Sequence, residues 1–97
     1  MLIGILQLEL RIGDALNTRD KQRILRSLKD AWRHHHNVSV AEVDYQDFPQ
    51  NALLGVAMVG NDPKHLESAL SRLVDSLKRL RKLDLIDFRI EIVSGRD

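Results

Sequence analysis

The chain has 97 residues, no cysteine and a formal charge of +1, with a pI near 8.2. This length suits a single core, so residues 1–97 are predicted to form one domain, and the lack of cysteine excludes disulfides and thiolate metal sites. No apolar run approaches the ~20 residues of a membrane helix, and no basic region precedes the first apolar stretch as in a secretory signal. We therefore expect a cytoplasmic protein with no membrane partner.

The first third of the chain predicts a strand followed by a helix. From Leu6 to Ile12 apolar residues alternate with polar ones, which is the period of a half-buried strand. Apolar residues then recur at helical spacing from about Thr18 to about His35, with Trp32 on the apolar stripe. Asn17 and Asp20 are spaced like a capping box and predict where this helix begins.

The rest of the chain predicts two strands, a second helix and a last strand. Strands are expected at about 37–44 and about 52–60, and a change of phase suggests a bulge near Ala41. The segment from Asp62 to Leu77 has a good N-cap, a proline at the first helical position and one apolar face. From Ile86 to Ile92 the alternation of a strand returns, and it places Phe88 on the core side.

The element order is βαββαβ. Right-handed crossovers in a compact sheet then predict an α+β, ferredoxin-like fold, with a four-stranded antiparallel sheet in the order 4-1-3-2 and both helices on one face. This topology gathers the segments 13–18, 45–51 and 81–84 at one edge of the sheet. Polar residues that are distant in sequence are thereby expected to meet.

The chain resembles the YlxP-like family of small bacterial proteins, a domain of unknown function whose known members have a ferredoxin-like fold. The segment from Val38 to Asp62 carries most of this resemblance. The helix start of the family, Ser-Leu-Lys-Glu-Lys-Arg, is matched by Asn17 to Gln22, with serine and leucine replaced and the arginine falling on Gln22. The hairpin pattern Asp-x-Gln-Asp-x-x-Gln is intact at Asp44, Gln46, Asp47 and Gln50. The resemblance implies a fold and no chemistry.

Basic and amide side chains at this sheet edge form the candidate binding site. Arginine forks and free helix amides suit phosphate, while glutamine and aspartate can bond bases or ribose hydroxyls. The alternative is a solvated charged helix, with the basic end of helix two (Lys78 to Lys82) complementing its dipole. The site consists of Arg19, Lys21, Arg23, Gln46, Asp47 and Gln50.

No catalytic, metal or cofactor site is predicted. His34 to His36 and His65 lack the usual spacing of metal ligands, and the pair Asp44 and Asp47 is common in polar loops. The predicted strands one and three contain no aromatic residue, so base stacking on an open sheet is disfavoured. We expect a protein that is not an enzyme and that needs no cofactor.

An apolar patch is predicted on the side of the sheet that no helix covers. Antiparallel pairing of strands one and three would set Ile3 and Ile5 beside Ala57 and Val59, and such a patch usually meets another protein. The other interpretation is that the chain termini shield part of the sheet or that it stays exposed in a small protein.

Two functional hypotheses remain. The first is an accessory module that binds RNA or a ribonucleoprotein through the candidate binding site. The second is a homodimeric interaction or regulatory domain that binds a protein or a small anion. Binding that falls steeply with salt would favour the first.

Overall fold

The computed structural model describes residues 1–95, so the last two residues of the predicted domain, 96 and 97, lie outside the described residues. Strands and helices follow the predicted order βαββαβ. They are β1 (Leu2–Arg11), α1 (Thr18–His35), β2 (Ser39–Asp44), β3 (Asn51–Gly60), α2 (Pro63–Leu77) and β4 (Asp84–Ser94).

The four strands form one antiparallel sheet in the order β2-β3-β1-β4, which confirms the predicted ferredoxin-like topology. β1 pairs with β3 along its whole length, from Leu2 opposite Gly60 to Arg11 opposite Asn51. β2 and β4 are therefore the outer strands. Both helices cover the same face, because the buried side chains of β1 and β3 all belong to one side of the pleat.

The core is a single apolar layer between this face and the helices. The leucines of β1 from Leu6 onward are fully buried, and Trp32 of α1 is 5% exposed, as its place on the apolar stripe predicted. Its indole N–H donates to Oγ of Ser76 on α2 at 3.3 Å, so a polar bond joins the two helices. The helices also contribute leucines to this core: Leu25 and Leu28 of α1 and Leu66, Leu70, Leu73 and Leu77 of α2.

The start of α1 is a reciprocal capping arrangement. Oδ1 of Asn17 accepts from the N–H of Asp20 at 2.9 Å, and Oδ2 of Asp20 accepts from the N–H of Leu16 at 3.1 Å. The predicted cap is confirmed, with the return bond reaching one residue further back than the usual box. α2 begins as predicted, with Asp62 accepting from the N–H of Lys64 at 3.0 Å.

Both outer strands contain an irregularity. In β2 the register shifts at Val43, two residues after the predicted bulge at Ala41. In β4 the shift lies at Ile86, so Leu85 rather than Ile86 pairs with Leu10, and Ile86 is 54% exposed.

Phe88 lies on the predicted face of β4, but the core does not enclose it. Phe88 pairs with Leu8 and so shares its face, but it is 45% exposed. The physical reason is its position on an outer strand, where one side of the ring has no neighbouring strand.

Gly4 tests how tightly α2 packs on the sheet. A Cβ atom at this position would lie 2.8 Å from Cδ1 of Leu70, which is fully buried and cannot move aside into solvent. We expect Gly4→Val to lower the free energy of unfolding by about 1–3 kcal/mol through overpacking. The measurement is urea denaturation followed by circular dichroism.

Gly13 supplies the control, since a Cβ atom there would meet nothing within 4 Å. Gly13→Ala should cost no stability. Equal losses in the two variants would contradict the described packing of α2.

Candidate functional site

Lys21 is the central residue of the edge where α1 begins. Its side chain is fully buried, and its ammonium group contacts the loop between β2 and β3. Nζ donates to the carbonyl of Tyr45 at 2.7 Å, to that of Asn51 at 3.1 Å and to that of Gln46 at 3.3 Å. One lysine therefore holds both ends of the hairpin loop against the first turn of the helix.

The buried charge of Lys21 is balanced by Glu42 of β2. Nζ lies 2.7 Å from Oε2 of Glu42, whose side chain is 7% exposed. Oε1 of the same carboxylate accepts from Nε2 of Gln22 at 3.0 Å. We call Lys21, Gln22 and Glu42 the buried polar cluster.

The hairpin loop is shaped to present carbonyl groups to this cluster. Tyr45 has a φ of 64°, the left-handed region that few non-glycine residues adopt, and its N–H donates to Oδ1 of Asp44 at 2.7 Å. Gln50 spans to the loop before α1, with Nε2 3.4 Å from the carbonyls of Gly13 and Ala15. Its side chain thus joins two loops of the chain.

The structure brings the start of α1 and the hairpin loop together, but the contact is made by the buried side chain of Lys21 and not by a shared exposed surface. The prediction that Lys21 lies on the surface with Arg19 and Arg23 is wrong, because it is the partner of a buried carboxylate. Two signals in the sequence indicate this. Lys21 is in phase with the apolar stripe of α1, and Glu42 is in phase with Val40 on the inward face of β2.

Five of the six predicted site residues are exposed; Gln50 is bonded to the loop before α1, and the other four are available to a ligand. Arg19 and Arg23 project from α1, and Arg23 is 3.7 Å from Asp20 in an exposed ion pair. Gln46 and Asp47 are exposed in the hairpin loop. The predicted site therefore divides into an internal part and an external part.

Arg23 also borders a groove that was not predicted from the sequence. The groove has a volume of about 520 Å³ and lies between α1 and the segment that follows α2. Its apolar lining includes Ile24 and Leu83, while Arg23, Arg81 and Lys82 supply its positive charge. No acidic residue lines it among residues 1–95.

Charge is segregated between the two layers of the molecule. Residues 18–35 and 63–83, the helices with the segment that follows α2, contain twelve Lys or Arg and four Asp or Glu, a formal charge of +8. The other residues of the range 1–95 contain two Lys or Arg and nine Asp or Glu. Of the twelve basic residues only Lys21 is buried. The helix layer is thus a basic surface, although the whole chain is nearly neutral.

The uncovered sheet face carries the predicted apolar patch. Ile3 is opposite Val59 and Ile5 is opposite Ala57, as the predicted pairing requires. Ile5 is 37% exposed and Val59 is 51% exposed. Dimerisation through this patch stays a prediction.

The four histidines do not form a ligand set. The rings of His34 and His35 are 4.9 Å apart in an edge-to-face contact. Within residues 1–95, no group of three His, Asp or Glu side chains is arranged to hold a metal ion. In the same range, no helix is both long and apolar enough to cross a membrane.

Fold and site together define a small ferredoxin-like α+β domain with a buried polar cluster at one sheet edge and a basic helix layer. The chain belongs to the family described as "Protein of unknown function (DUF503)", which matches residues 3–90. It is 29% identical over 84 residues to the uncharacterized protein YlxP of Bacillus subtilis (strain 168), an alignment that covers 84% of this chain and 91% of that protein.

Replacing Lys21 tests the buried polar cluster. Lys21→Met would leave the Glu42 carboxylate buried without its partner and three carbonyls without their donor. We expect the free energy of unfolding to fall by about 3–5 kcal/mol, the usual effect of breaking a buried pair. The double variant Lys21→Met/Glu42→Gln should lose less than this, because no charge then remains buried. Urea denaturation measures both.

Arg26 is the matched control, since it is a basic residue on the exposed side of the same helix. Arg26→Ala should change stability by less than about 0.5 kcal/mol. A Lys21→Met protein within about 1 kcal/mol of the unmodified chain would contradict the structural role of Lys21, because a broken buried pair costs more than that.

Proposed function

We propose that this protein is a non-catalytic accessory module that binds RNA, alone or within a ribonucleoprotein, through its basic helix layer. The observation that carries the proposal is the segregation of charge, +8 on the helices and the segment that follows α2, within a chain whose total is +1. A polyanion is the partner that such a surface attracts, because neutralising phosphates releases counterions and favours binding.

The arrangement of the exposed basic groups supports a backbone ligand rather than a small anion. They extend from Arg19 and Arg23 on α1 to Arg81 and Lys82 beyond α2, with the groove of about 520 Å³ between α1 and that segment. A phosphate chain can contact several such groups in succession, whereas a single anion would need them to converge on one point. Arginine forks at these positions suit phosphate oxygens.

The hairpin loop supports a contribution from the nucleotide bases. The side-chain amide of Gln46 is exposed. Its main-chain carbonyl accepts a hydrogen bond from Nζ of Lys21 at 3.3 Å, so the loop is anchored beside the start of α1. An amide reads donors and acceptors without adding charge. The helix layer would then supply affinity and the loop would supply preference.

Neutralising the basic surface tests the proposal. The triple variant Arg19→Gln/Arg23→Gln/Arg81→Gln should weaken binding to a labelled single-stranded RNA, and the salt slope of log K should fall by roughly one unit per lost phosphate contact. Fluorescence anisotropy from about 50 to about 200 mM salt measures both quantities, since this range changes affinity strongly for a phosphate binder.

The control is Arg11→Gln, which removes an exposed basic residue from β1, on the uncovered side of the sheet. It should leave both affinity and slope nearly unchanged. We would abandon the RNA-binding function if the unmodified protein bound neither ribosomal RNA nor short single strands at ~50 mM salt, where nonspecific contacts are strong.

The loop has a separate test. Gln46→Ala should alter the ranking of affinities among RNA homopolymers while the salt slope is retained, since no phosphate contact is lost. Competition against one labelled RNA measures the ranking. A uniform loss for every sequence would contradict base reading by this amide.

A further inference from the structure

The outer edge of β4 points to a second copy of this chain as its partner. We propose that two copies pair through β4 in antiparallel register centred on Phe88, which would join two four-stranded sheets into one continuous sheet. The proposed pairing follows from the residues and the edge position of β4 and does not depend on RNA binding. Only its consequence for RNA depends on the proposed function.

The two edges of the sheet are differently protected. β2 has six residues, is interrupted at Val43, and has its Val40 carbonyl bonded by the Arg33 side chain at 2.7 Å. β4 has eleven residues; its own irregularity lies near its start, at Ile86, and the longer stretch 87–94 beyond it exposes Phe88. A long outer strand with exposed apolar side chains is a ready template for another strand. β4 is therefore the edge that can accept a partner.

The residues around Phe88 are complementary to themselves. When this strand pairs with a copy about Phe88, the two Phe88 rings meet on the helix side, and the regular register extends from Asp87 to Arg89, up to the irregularity at Ile86. On the other side Asp87 faces Arg89, and the contact occurs twice. Opposite charges and aromatic rings directly across an antiparallel pair are stabilising.

Within residues 1–95, neither of these charges has an ion-pair partner. Asp87 lies directly opposite Glu9 in the β1–β4 register, an unfavourable pair of like charges. Arg89 of a second copy would meet Asp87 and relieve the repulsion.

The backbone of Phe88 fits the same register. Its N–H donates to Oδ1 of Asp87 at 2.8 Å, a side-chain acceptor, which places this N–H on the outer edge of the sheet. On pairing, the N–H would donate instead to the Phe88 carbonyl of the other copy. Asp87 is then released to bond Arg89.

Pairing of this kind keeps both helix layers on one side of the joined sheet, because residues opposite each other across strands share a face. Two surfaces of formal charge +8 would then lie side by side. If the helix layer binds RNA, a longer RNA would bind more tightly than one copy allows.

Charge reversal tests the pairing with two variants that should each dimerise weakly alone but should dimerise with each other. Asp87→Arg and Arg89→Asp should each raise the dissociation constant of the dimer by about tenfold or more, since each turns both contacts repulsive. An equimolar mixture should dimerise again, because the arginine introduced in one variant faces the aspartate introduced in the other, and the native Arg89 of the first faces the native Asp87 of the second. Sedimentation velocity without RNA over a dilution series from ~1 to ~100 µM, which spans a micromolar dissociation constant and a tenfold weaker one, measures this.

Oxidative cross-linking tests the same register in a chain that has no cysteine. Phe88→Cys should form a disulfide dimer under mild oxidation, because opposed residues in a strand pair lie within disulfide range. Val59→Cys, on the apolar patch, is the control and should not.

The proposal is overturned if the unmodified protein is a monomer at ~100 µM, where a micromolar dimer would persist. It is also overturned if the mixture of charge variants stays monomeric, or if Val59→Cys cross-links and Phe88→Cys does not. The last result would assign the dimer to the sheet face. None of these outcomes concerns RNA, so they are separate from a failure of the proposed function.

Discussion

The ion pair between Lys21 and Glu42 is the constraint on which the candidate edge of this fold depends. Both charges are almost entirely out of contact with water, and removing either one would leave the other without compensation. The first turn of α1, the strand β2 and the hairpin loop must therefore keep their positions together. Hydrogen bonds from Nζ to carbonyls at both ends of the loop hold this polar, proline-containing segment beside the helix start.

This constraint also determines which charges remain for binding. Lys21 is turned inward, whereas Arg19 and Arg23, on either side of it, stay on the surface of the helix. The exposed basic residues then form one layer with those that follow α2, and the acidic residues lie mostly in the strands and loops. A nearly neutral protein thus presents a strongly basic surface. Net charge alone would have hidden this property, since it averages over both layers.

Much of the fold could be predicted from the sequence. The apolar period identifies each strand and helix, and the capping residues mark where the two helices begin. The site is harder to predict from the sequence. The charge of Lys21 suggests an exposed residue, whereas its helical phase with Leu25 and Leu28 places it on the buried side of α1. The exposure of Phe88 also escaped prediction. Alternation gives the face on which a residue lies but not whether a neighbouring strand covers it. The partner of Lys21 required the β2 register, which a bulge at Val43 alters.

The most direct test of the functional account is an NMR titration of the labelled protein with single-stranded RNA at low salt. If the helix layer binds RNA, we expect the changes in backbone chemical shift to concentrate in the exposed part of α1, in residues 78–83 and at Gln46, while the resonances of the buried polar cluster do not change. Shifts concentrated on the uncovered face of β1 and β3, around Ile5 and Val59, with the helices unaffected, would contradict it.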